Sequence, residues 1–157
     1  MTDHAIRHFA DEEAVADVGE GFLARSLPKA EWTHEAHLAT TTYLTLRHPE
    51  IDLDAALPGL IRAYNAQVGG VNGDRQGYHD TITFAYLRGV RLFLADADLH
   101  KPLHLLVNAL LDSPVGARDW PLHFWSKERL MSIEARRQFV APDLKAMPGS
   151  KDSKPWI

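Results

Sequence analysis

Apolar residues recur at three- and four-residue spacing along almost the whole chain, and no segment shows the strict alternation of a half-buried strand. That rhythm restricts the chain to helices packed on helices. The punctuation agrees with it. Asp11 caps a first helix to about Ser26, with Val15, Val18 and Phe22 on one face and Pro28 at the exit. Thr33 caps a second helix from His34 to about Arg47, stopped before Pro49. A third begins near Asp54, carries Leu57, Leu60, Ile61, Tyr64 and Val68 in register, and holds Pro58 in its opening turn. A fourth runs from about Thr81 to Ala95 and is expected at the centre. Pro102 opens a fifth, with Leu103, Leu106, Val107, Leu110 and Leu111 on one face and Ser113-Pro114 at its end. Ser126 and Ser132 cap two short pieces before Pro142. Short connections without a βαβ rhythm predict an all-α, single-domain bundle of about five or six helices over residues 1–147, followed by a mobile tail, 148–157.

Composition narrows the chemistry. With 157 residues, the chain is long enough to bury a core without staples. The absence of cysteine removes disulfides, thiolate metal sites and a cysteine nucleophile together. A net charge of -4 gives no general attraction to nucleic acid, and the locally basic stretch 129–137 reads as a solvated helix face. The first residues, M-T-D-H-A-I-R-H-F-A-D-E-E, lack an apolar targeting core, and no run approaches the roughly 20 apolar residues of a membrane span. A cytoplasmic protein without a membrane or nucleic-acid partner is the expectation. The apolar face of the fifth helix suits either a buried central position or a homo-oligomer interface.

Histidines carry the chemical interest. His34 and His37 open the second helix in E-W-T-H-E-A-H-L, and His79 stands before the fourth in G-Y-H-D-T. Residues 34, 37, 38, 41 and 44 share one helical face, so the two imidazoles point the same way. With His79 they would form a three-histidine face holding one divalent metal, zinc or iron, with a position open to water or substrate. Glu31, Asp80 and His123 are the candidate proton-handling groups, and Trp32, Tyr64, Asn65, Tyr78 and Trp125 the candidate pocket for a small organic molecule. That arrangement reads as a metal-dependent enzyme; the alternative is a metal-free small-molecule-binding or protein-interaction module in which the histidines only hydrogen-bond helix ends and the aromatic groove receives a ligand or a partner helix. Glu31 and His34 have the E-x-x-H spacing of di-iron bundles, but the chain holds no second such motif. The glycine-rich stretch 69–77 lacks the G-K-[ST] ending of a phosphate loop and reads as a helix connection, or as a wall or lid beside His79.

The segments W-T-H-x-A-H-L (32–38), Tyr64-Asn65, G-Y-H-x-T (77–81), W-S-K-E-R-L (125–130) and A-P-D-L (141–144) together resemble an uncharacterised family of small bacterial proteins. The resemblance spans roughly residues 31–145 and implies no activity. A looser similarity links His34, His37 and His79 to the histidine triad of metal-binding helical bundles of the DinB type. There the pair is spaced H-x-x-x-H, whereas this chain has H-x-x-H and places its single histidine after the pair.

Overall fold

A computed structural model describes residues 5–148, and among them the fold is all helical. Its α-helices are α1 (Glu12–Leu23), α2 (His34–Arg47), α3 (Leu53–Gln67), α4 (Asp80–Ala95), α5 (Leu103–Asp112), α6 (Lys127–Leu130) and α7 (Ile133–Arg137), joined by short 3-10 turns. The expected tail lies, apart from Pro148, outside the described residues. No helix among them is long and apolar enough to cross a membrane.

Local chemistry sets most of the boundaries. Asp11, Thr33, Ser126 and Ser132 each accept a backbone N–H inside the helix they open, satisfying one of its orphan donors. α3 departs from expectation because Asp52 is its cap, so the helix starts at Leu53 and Pro58 lies beyond the opening turn. The two short pieces expected after Ser126 and Ser132 are the one-turn helices α6 and α7, which join five longer helices among the described residues.

α2 is the inner helix. It packs against α1, α4 and α5, and its buried residues, from Glu35 and Ala36 to Tyr43 and Leu44, fall on several sides. A helix buried on several sides loses the one-faced apolar pattern of a surface helix. Its threonines suit that position: the Thr42 hydroxyl donates to the Leu38 carbonyl at 2.8 Å, so a polar group is buried with a partner. α4 links two apolar clusters, giving Leu87, Val90 and Leu94 to the one around α1, α2 and α5, and Ala85 to the one around Trp120, Trp125 and Leu130. Gly89 permits that passage, since a Cβ there would stand 2.7 Å from the Trp120 ring. Buried Thr81 ties the second cluster to α4: its hydroxyl donates to the Ala135 carbonyl at 2.7 Å and accepts the Val140 N–H at 3.1 Å.

Candidate functional site

The N-terminal halves of α2 and α4 and one face of α3 border one cavity of about 440 Å³. That falls within the roughly 300–1,000 Å³ range of small-molecule sites. α2 contributes His34, His37, Leu38 and Thr41, and α3 contributes Leu57, Ile61 and Asn65. From the α4 side come Tyr78, His79, Ile82, Thr83 and Tyr86, while Trp32 closes the end before α2. All three histidines expected to act together therefore border one space.

Their roles within it differ. The Nε2 of His79 lies 2.8 Å from the Leu130 carbonyl, which can only accept, so Nε2 carries the proton. Its Nδ1 accepts the Ile82 N–H at 3.1 Å and caps α4. Both nitrogens of this buried ring are spent on the fold, and a metal role would require giving up one of these bonds. Burial lowers its pKa, keeping the ring neutral.

His34 is half committed. Its Nε2–H donates to the Gly116 carbonyl at 2.8 Å. That bond fixes the tautomer and leaves a lone pair on Nδ1. Burial again lowers the pKa. His37 sits exposed at the rim, its ring stacked on Trp32 at 3.9 Å. Crowding by surrounding atoms, then the nearby His34, lowers its pKa. Trp32 is itself stacked on Phe22 at 4.8 Å, and its indole N–H is sealed from water with no protein acceptor.

The tyrosines are held as neutral donors. The Tyr78 hydroxyl donates to Asp80 at 2.6 Å, and the Tyr86 hydroxyl donates to the Ala117 carbonyl at 2.7 Å. Burial raises both phenol pKa values, assisted at Tyr78 by the Asp80 bond. The glycine-rich connection reaches the cavity only through Gly77, next to Tyr78. It is an ordered wall: Asn72 accepts the Tyr78 N–H at 3.1 Å and the Asn65 amide at 3.0 Å, and Asp74 takes both ends of a bidentate pair with Arg137 at 2.8 Å. Gly77, at φ +79, cannot be replaced cheaply because a Cβ would meet the Val71 carbonyl at 2.3 Å.

Five expected site residues do not line this cavity. Tyr64 is fully buried, and its hydroxyl donates to the Leu27 carbonyl at 2.7 Å, so it stands behind Trp32 as support. Trp125 is fully buried in the second cluster, its indole N–H donating to the Val140 carbonyl at 2.9 Å. His123 is exposed beside Phe124. Glu31 ends the 3-10 turn before Thr33 and lines two separate grooves, both bordered by α1, because it precedes the helical face that carries His34. Asp80 acts one step back, through Tyr78.

Leu57 and Ile61 of α3, read only as an apolar stripe, and Ile82, Thr83 and Tyr86 of α4 are cavity residues that the motifs left out. Positions 79, 82, 83 and 86 share a face, so the i, i+3, i+4, i+7 rule that grouped the α2 residues would have found those of α4. Among the described residues, no group of three or more His, Asp or Glu is placed to hold a metal ion. Compared with protein-family models, curated proteins and solved structures, the chain matches none.

Proposed function

We propose that this chain binds a small organic molecule between α2, α3 and α4, and that His34 receives a hydrogen bond or a proton from it through Nδ1. The observation that carries the reading is the convergence on one cavity of Trp32, His34, His37, Asn65, Tyr78 and His79, which lie up to 47 positions apart, 79 minus 32. An imidazole whose tautomer is fixed by a backbone carbonyl is pre-organised for such a role, and its lowered pKa keeps the lone pair free at neutral pH. The protein works in the cytoplasm and without a nucleic-acid partner, the latter supported by the net charge of -4.

A second reading places zinc or iron at the same spot and makes the chain a metal-dependent enzyme. It is favoured by His34 and His37 lining one side of the cavity, His34 with a free lone pair. Water or substrate would have to supply the remaining ligands, because His79 is committed to its two backbone bonds. The metal would then act as a Lewis acid on the bound molecule.

His34→Gln separates the two. The glutamine amide can still donate to the Gly116 carbonyl, while the imidazole lone pair is gone. Ligand binding should be screened by NMR on wild type and variant, with elemental analysis of protein purified without a metal-affinity tag. Metal-independent binding that weakens in the variant supports the first reading. Near-stoichiometric metal in wild type, lost from the folded variant, supports the second. Binding unchanged by the substitution, in protein free of metal, removes His34 from the function.

A further inference from the structure

We infer that the ligand of this cavity is uncharged and carries at least one hydroxyl or N–H group. This rests on the reading of the cavity as a small-molecule site and specifies what it takes. No Asp, Glu, Lys or Arg among the described residues lines the space. Charged groups beside the lining are engaged outside it, among them Arg136, which donates to the Gly77 carbonyl at 3.0 Å. Asp80 accepts from Tyr78, the Arg62 guanidinium lies 4.5 Å from the centre of the Tyr78 ring, and Arg118 approaches Glu35 at 3.8 Å behind His34. A carboxylate, phosphate or ammonium entering here would lose water without meeting a counter-charge, and an unpaired buried charge is strongly disfavoured.

The balance of donors and acceptors gives the second half. Most donors on the lining side chains are already spent on protein oxygens: His34 on Gly116, His79 on Leu130, Tyr86 on Ala117, and Thr41 on the His37 carbonyl. The Tyr78 hydroxyl is spent on Asp80, one of the two Asn65 amide N–H groups on Asn72, and the Thr83 hydroxyl on the Tyr78 phenol oxygen. The Trp32 indole N–H is closed off from the water-accessible space. Among the unspent groups are acceptors that only a ligand can match, His34 Nδ1 above all, with Asn65 Oδ1 and one nitrogen of the neutral His37 ring, while donors remain on the other His37 nitrogen and the second Asn65 N–H. A ligand without an O–H or N–H would leave these acceptors dry and unmatched, which costs binding about tenfold or more per group. Aromatic and branched aliphatic walls, from Trp32, Leu38, Leu57, Ile61 and Ile82, suit an apolar body behind that polar group.

The test is an NMR screen with a fragment set in which each scaffold is present as a primary alcohol, its methyl ether, a carboxylate and a methylammonium. Chemical shifts of Trp32, His37, Thr83 and Tyr86 locate binding. The expected order puts the alcohol about tenfold or more ahead of its three counterparts for any scaffold that binds. Thr83→Asp, which adds a carboxylate to the wall, should shift preference toward the ammonium by a similar factor. A carboxylate or ammonium that equals or beats its alcohol in wild type overturns the uncharged class while leaving the binding reading intact. An ether that equals its alcohol overturns the donor requirement alone. If no member of any scaffold perturbs the cavity at millimolar concentration, the binding reading falls, and this inference with it.

Discussion

Replacing His79 by alanine tests whether the ring belongs to the fold. The substitution removes the acceptor that caps α4 at Ile82, worth about 1 kcal/mol. It also strips the Leu130 carbonyl of its 2.8 Å donor at a position where His79 is only 7% exposed. An unsatisfied buried acceptor costs roughly 1–3 kcal/mol, so the expected loss is about 2–4 kcal/mol. Asparagine is the informative companion: its side-chain oxygen can cap the helix, but it is too short to reach Leu130. His79→Asn should therefore recover about 1 kcal/mol relative to alanine. Urea unfolding with an unchanged m-value gives both numbers from the midpoints. Thermal melts should show the alanine variant lower by several degrees, at roughly 2–4 °C per kcal/mol for a chain near this size. A loss below about 1 kcal/mol for alanine, or an asparagine variant no better than alanine, would refute the two-bond assignment. If a chelator lowers wild-type stability by the same amount as the substitution, His79 is holding a metal instead.

Two further outcomes follow from the packing and the charges. Gly89→Ala drives a Cβ to 2.7 Å from both the Trp120 ring and Val115, so it should destabilise by about 1–3 kcal/mol in the same urea assay despite alanine's better helix propensity. Acid should weaken the fold through His79: its pKa is lowered in the folded state, so between the ordinary imidazole value of about 6.5 and that lowered value the unfolded chain binds the extra proton, and stability falls as pH drops. His79→Asn should flatten that slope below about pH 6.5. His48 works in the opposite direction: Glu50 and Glu20 raise its pKa, so its contribution is present at low pH and fades as pH rises through the raised value. An acid limb identical in wild type and His79→Asn would contradict the first assignment.

The helices and their entrances were legible because the physics that sets them is local. Asp11, Thr33, Ser126 and Ser132 act on N–H groups three positions away, and apolar spacing reports a buried face without naming what buries it. The pairing of His34 with His37 followed from the same periodicity. His79 shows where that reach ends. Its own cap bond is local, yet whether the ring is free for chemistry depends on Leu130, 51 residues further on. His34 likewise takes its tautomer from Gly116, 82 residues away. Trp125 and Tyr64 carried the composition of pocket residues, and distant carbonyls, Val140 and Leu27, drew them into the interior instead. By itself the sequence determined the helical class, the caps at Asp11, Thr33, Ser126 and Ser132, and the face on which the candidate side chains lie, since those depend on neighbours a few residues apart. Only the tertiary structure decided which donors were spent, which charges stayed outside and which lone pair was left over, because each of these depends on a partner brought close by folding.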